Sequence, residues 1–138
     1  GLPQAVYDRL QDLAVETCGK RIHMTTGYGM TETTSGCCTI HWPTDKVGIG
    51  LPCPGVELKL VPHDERYEVR IRGPNVMLGY LDEPEKNADA FDDEGFYKTG
   101  DLARFHQKDA PEQGLVFAGR LAEAQTPMTK SPSKISAA

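Results

Sequence analysis

The chain has no apolar run approaching the ~18 residues that a membrane-spanning helix requires. Its first residues also lack the basic head, apolar stretch and small-residue cleavage site of a secretory leader. Those absences lead to the expectation of a cytoplasmic protein with no membrane partner. Basic residues are in the minority, since 15 Lys and Arg against 20 Asp and Glu give a net charge of −5. Sequence-blind binding of nucleic acid needs clustered cations to neutralise phosphates, so no nucleic-acid partner is expected. The four cysteines, Cys18, Cys37, Cys38 and Cys53, lack the C-x2-C spacing of a metal site. A bridge between adjacent Cys37 and Cys38 would be strained, and disulfides are rare in the cytoplasm, so reduced thiols are expected. An initiator methionine is missing too, which suggests an internal piece of a longer parent.

What is present suits one modest domain: 138 residues, 38% of them apolar, suffice for a core. Residues 2–18 carry a helical period, with Val6, Leu10, Leu13 and Cys18 near one face. Asp8, Arg9, Gln11 and Asp12 are expected to face out, and Gly19 supplies the stop. Residues 22–26 read as a short strand feeding a glycine-containing loop at 27–34, an order that suits a ligand site at a strand end. After Trp42-Pro43 the pattern turns to strands. One is short, at 47–51, and alternation at 56–61 and 67–72 predicts an antiparallel hairpin with a longer turn. Residues 84–91 read as a short helix with Pro84 near its start. Asp92-Asp93-Glu94-Gly95 reads as a solvated turn, followed by strands at 96–99, 102–105 and 115–117.

The expected organisation is therefore a small α/β piece over residues 1–46 and a mainly antiparallel β subdomain over 47–123. The tail, 124–138, has no aromatic residue and too few apolar ones to pack, and is expected to be disordered.

Three stretches carry chemistry. The first is Gly27-Tyr28-Gly29-Met30-Thr31-Glu32-Thr33. Its glycines permit close backbone approach, Thr31 can donate to a phosphate, and Glu32 is a hard oxygen ligand of the kind magnesium takes. The second is Lys98-Thr99-Gly100-Asp101-Leu102, whose carboxylate can accept from two neighbouring hydroxyls. The third is Gly119-Arg120, and between them lies the stretch from Arg70-Ile71-Arg72-Gly73-Pro74-Asn75 to Gly79-Tyr80.

In this order the motifs resemble the adenylate-forming, AMP-binding enzymes, the family of acyl-CoA synthetases and adenylation domains. The resemblance implies part of the large N-terminal domain of such an enzyme. Tyr28 would lie on adenine, Thr31 on phosphate, Glu32 on Mg2+, and Asp101 with Arg120 on ribose and phosphate. ATP/AMP and coenzyme A would be the cofactors and a small carboxylic acid the substrate, activated as an acyl-adenylate and released as a thioester. Residues 52–62 and 109–120 look most like the feruloyl-CoA synthase group, which would imply a hydroxycinnamate-type acid. Gly29, Met30 and residues 33–39 could line the acyl pocket.

The resemblance also shows gaps. No glycine-rich Ser/Thr loop followed by Lys is present to cradle the β- and γ-phosphates, and neither Lys130 nor Lys134 has the surroundings of the family's lid lysine. The fragment alone is expected to be inactive. Exposed faces where other subdomains belong would promote self-association. A non-catalytic remnant that binds nucleotide or serves as a structural module is the alternative, as is an adenylation domain with another acceptor.

Overall fold

A computed structural model describes residues 1–124; the expected tail lies outside them but for Ala124. Helix α1 runs over Gln4–Cys18 and ends on Gly19, whose left-handed backbone returns an N–H to the Val15 carbonyl at 2.9 Å. The face that α1 buries differs from the expectation. Tyr7, Gln11 and Ala14 are covered, whereas Val6, Leu10 and Leu13 remain 41–45% exposed. Gln11 goes inward because its amide satisfies both backbone groups of Ile22, donating to the carbonyl at 2.8 Å and accepting from the N–H at 3.1 Å. Tyr7 donates to the Thr44 carbonyl, and Gln4 accepts from the Val47 N–H, so polar contacts dock this helix.

Two antiparallel sheets follow. The first joins β1 (Thr26–Met30), β2 (Thr34–Ile40) and β3 (Leu51–Pro52) in that order. The expected strand at 22–26 thus starts at its last residue, and the glycine motif is itself strand. Only Thr31–Thr33 remains as a connecting 3-10 turn. The second sheet joins β4 (Glu57–His63), β5 (Arg66–Arg72), β6 (Tyr97–Phe105) and β7 (Leu115–Arg120). The hairpin turn between β4 and β5 is shorter than expected, since His63 pairs with Arg66. Asp64 takes the positive φ of 53° that so tight a turn demands. Pro62 fits because β4 is an edge strand and owes no inward N–H.

The strands expected at 96–99 and 102–105 are one strand, β6, which bends where Gly100 adopts φ 69°. Its register against β7 slips between Asp101 and Ala103, so Asp101 pairs with Arg120 and Ala103 with Phe117. Helix α2 (Pro84–Ala90) has proline in its first turn as expected, and a single turn, α3 (Leu121–Ala124), follows β7. In the turn at 92–95, residues 93–95 are exposed as expected, but the Asp92 side chain is drawn in. Asp92 Oδ1 accepts from the Glu94 and Phe96 N–H groups, while Oδ2 takes Lys59 and Arg70.

Cys37, Cys38, Ile49, Val69, Ile71, Ala103 and Leu115 form the core that joins the sheets. The seam is the segment before β3. Ile49 donates to the Leu115 carbonyl at 2.7 Å and Leu115 donates back to Gly50 at 3.1 Å. Each large aliphatic side chain buried here contributes roughly 1.5–3 kcal/mol. All four cysteines are free thiols. Among the described residues no helix is long and apolar enough to cross a membrane.

Candidate functional site

Because the seam holds the sheets side by side, a cleft of about 700 Å³ opens between β1 and the β6–β7 ladder. Gly27, Tyr28, Gly29 and Met30 line one wall, Gly48 and Ile49 the floor, and Asp101, Val116, Phe117 and Arg120 the other wall. Five of the seven residues singled out in the sequence therefore meet in one cavity. Ser35 also lines it, while Cys37 and Cys38 of the same strand belong to the core.

Asp101 is the centre of the cleft. Its side chain is 5% exposed, and its N–H donates to Thr99 Oγ1, which in turn donates to the Val69 carbonyl at 2.6 Å. The Tyr28 hydroxyl donates to Asp101 Oδ2 at 2.7 Å. Arg120 Nε lies 2.8 Å from Oδ1 as an ion pair, on a side chain more than half exposed. No N–H is directed at Oδ1, so this buried oxygen has no hydrogen-bond donor among the described residues. Burial, and then the bond to Asp101, push the Tyr28 phenol well above its ordinary value. It therefore stays protonated and a donor at neutral pH.

Thr31 and Glu32 stand apart, on the 3-10 turn beyond the Met30 end of that wall. Thr31 is exposed and Glu32 half-buried. The stretch from Gly73 to Tyr80 holds this turn from outside the sheet. Met77 N–H donates to the Glu32 carbonyl at 2.8 Å, and Asn75 Nδ2 donates to the Thr33 carbonyl at 2.7 Å. Tyr80 donates its hydroxyl to Glu32 Oε1 at 2.9 Å. The sequence alone gives Tyr80 and Asn75 no part in the site, because the bond from Tyr80 to Glu32 spans 48 positions and no local pattern signals it.

Gly29 has a different reason for being glycine than close approach to a ligand alone. A Cβ there would run into the Thr34 carbonyl and sit 2.6 Å from the Ser35 carbonyl carbon. The tight return from β1 into β2 requires it.

Residues 2–81 match the family model described as AMP-binding enzyme. The chain belongs to the AMP-binding enzyme family. Its relatives include human long-chain-fatty-acid–CoA ligase 1, 38% identical over 88 residues that make up 57% of this chain and 13% of that ligase. A solved malonyl-CoA ligase, in a ternary product complex with methylmalonyl-CoA and AMP, is 32% identical with a TM-score of 0.69. That match covers 87% of this chain and 25% of the ligase. The o-succinylbenzoate–CoA synthetase of Bacillus subtilis, solved with AMP, is 27% identical with a TM-score of 0.65, over 87% of this chain and 24% of the synthetase. The fold is that of part of the N-terminal domain of adenylate-forming enzymes. The chain spans only 13–25% of the length of these relatives.

Proposed function

We propose that this chain carries the adenosine side of the active site of an ATP-dependent carboxylic acid–CoA ligase. The observation that carries the reading is the buried, donor-free Oδ1 of Asp101 at the wall of the cleft. A carboxylate so placed is short of a hydroxyl, and a ribose diol supplies one. Tyr28 keeps the other oxygen occupied, so the carboxylate is fixed before the ligand arrives. Arg120 adds positive charge on the solvent side, where ribose or phosphate would lie. Tyr28, on the opposite wall with Gly27 and Gly29, is proposed to hold adenine. Thr31 and Glu32 are proposed to serve as the catalytic residues, donating to phosphate and holding Mg2+.

The donor set fits that ion. Glu32 has a hard oxygen, Oε1, oriented by a neutral phenol, and no Lys or Arg among the described residues pairs with it. Magnesium is usually held by one or two carboxylates with substrate phosphates completing its shell. When bound, the metal nucleotide supplies an α-phosphorus open to attack by a carboxylate oxygen and a pyrophosphate leaving group. The residues of this chain orient the ribose, shield the adenine and donate to phosphate. Residues 1–46 would then serve adenine and phosphate, and residues 47–123 the ribose.

The acid proposed is a hydroxycinnamate-type aromatic, on the resemblance of residues 52–62 and 109–120. A long-chain fatty acid is the second reading, supported by the activity named for the human relative. Free thiols throughout are in keeping with the cytoplasmic setting proposed with it. Catalytic groups that act as a unit lose nearly everything when one is missing, so the chain alone is proposed to bind nucleotide without turnover.

Calorimetric titration of the chain with AMP and with Mg-ATP, repeated on Asp101→Ala, tests the proposal. AMP binding that Asp101→Ala weakens tenfold or more supports it. Folded protein that binds neither nucleotide contradicts it.

A further inference from the structure

Tyr80 is held in four ways. Its backbone N–H donates to Asn87 Oδ1 at 2.6 Å, and its carbonyl accepts from Asn87 Nδ2 at 2.8 Å. One side-chain amide on α2 therefore grips both peptide groups of this residue. The Lys86 ammonium sits 3.6 Å from the centre of the Tyr80 ring, and the Tyr97 hydroxyl lies 3.2 Å from the Tyr80 hydroxyl. The path to this grip is tight. Gly79 adopts φ 151°, and a Cβ there would lie 3.0 Å from Asn87 Oδ1. All this restraint ends on one phenolic hydroxyl, 2.9 Å from Glu32 Oε1.

A tyrosine so restrained is more than a packing residue. Its neighbours Leu78 and Leu81 are fully and almost fully exposed, so the segment buries little apolar surface of its own. What fixes it is polar, and what it fixes is a carboxylate. A tyrosine phenol is a neutral donor throughout the physiological range. A neutral donor orients a carboxylate without cancelling its charge, whereas a lysine or arginine in the same place would compete with a cation.

We propose that Tyr80 is the positioning residue for Glu32, and that Asn87 on α2 sets Tyr80 in place. The hydroxyl holds Oε1 and so fixes the rotamer of Glu32, presenting the carboxylate to a divalent cation carried by the nucleotide phosphates. The inference rests on the reading of Glu32 as the metal-holding carboxylate, and deepens it.

The test compares the wild-type chain with Tyr80→Phe, Asn87→Ala and Glu32→Gln. Two quantities are read: the affinity for metal-free AMP, and the tightening of ATP binding by Mn2+, followed by calorimetry and by the Mn2+ electron paramagnetic resonance signal. Wild type is expected to bind ATP more tightly with Mn2+, and Glu32→Gln to abolish the gain. Tyr80→Phe is expected to reduce it about tenfold or more, the size of one hydrogen bond to a charged group. Asn87→Ala is expected to reduce it similarly without touching Glu32, and provides the reading if Tyr80→Phe does not fold. AMP affinity should stay within about twofold of wild type in all three, as the ribose site is separate.

A wild-type metal effect in both Tyr80→Phe and Asn87→Ala, with loss in Glu32→Gln, overturns the positioning role and leaves the Glu32 reading intact. A metal effect that survives Glu32→Gln, or none in wild type that binds AMP, overturns both. A parallel loss of AMP affinity in Tyr80→Phe and Asn87→Ala also overturns the role, because it marks general structural damage.

Discussion

Tyr28 and Asp101, 73 positions apart, meet across the cleft through a 2.7 Å hydrogen bond that joins the two sheets at the candidate nucleotide site. The bond is structural and functional at once. It satisfies one oxygen of a buried carboxylate and leaves the other, ion-paired with Arg120, without a hydrogen-bond donor among the described residues.

Removing the donor should therefore weaken the fold as well as the site. Tyr28→Phe leaves Asp101 Oδ2 without its donor and is expected to cost about 1–3 kcal/mol in urea unfolding. The same pair sets an alkaline limit. The Tyr28 phenol is raised in the folded state, so its contribution is fully present below the unfolded value near pH 10 and is lost as pH rises beyond that. Stability measured from pH 8 to 11 should fall at the alkaline end in wild type and fall less in Tyr28→Phe.

Asp92 sets the acid limb. Burial pushes its carboxyl up, but Lys59, the Phe96 N–H, Arg70 and the Glu94 N–H outweigh that and hold it well below the usual carboxylate range. A depressed folded value means stability that is present above the unfolded value near pH 4 and is lost as pH falls below it. Asp92→Asn keeps an acceptor for the two N–H groups and loses the charge. Its melting temperature should drop at pH 7, and the gap from wild type should close towards pH 2.

Gly29→Ala tests why that position is glycine. The added methyl meets the backbone of residues 34 and 35, which cannot swing aside as a side chain could. A destabilisation of about 1–3 kcal/mol is expected from thermal unfolding. A neutral effect would mean that the turn is looser than the structure shows.

Gln11→Leu tests the inward face of α1. Leucine gives a better apolar pattern, yet it abandons both the N–H and the carbonyl of Ile22. A loss of about 1–3 kcal/mol is expected despite the gain in hydrophobicity.

That last case shows where the sequence was legible and where it was not. The limits of α1, the two strands of the β4–β5 hairpin and α2 follow from period and punctuation, which are local. The buried face of α1 does not, because a period of apolar residues cannot reveal that a glutamine will find a backbone partner in Ile22. The apolar side chains it displaces stay exposed here. The continuity of β6 was hidden by Gly100, which reads as a turn and serves as a bend within a strand. At the site, the glycine motif, Asp101 and Arg120 were visible as motifs. Their convergence needed the register of β6 against β7, which pairs Asp101 with Arg120. Tyr80 and Asn87 were not visible as site residues, since nothing near either one marks Glu32 as a target.

The central claim is that the open oxygen of Asp101 receives a ribose hydroxyl, and the most direct measurement compares AMP with its 2′,3′-dideoxy analogue. Both are titrated calorimetrically into wild type and Asp101→Asn. Wild type should prefer AMP by about tenfold or more, the discrimination expected of a hydrogen bond to a charged group, and Asp101→Asn should lose most of that preference. Equal binding of the two nucleotides by wild type, or a preference that survives in Asp101→Asn, would contradict the assignment.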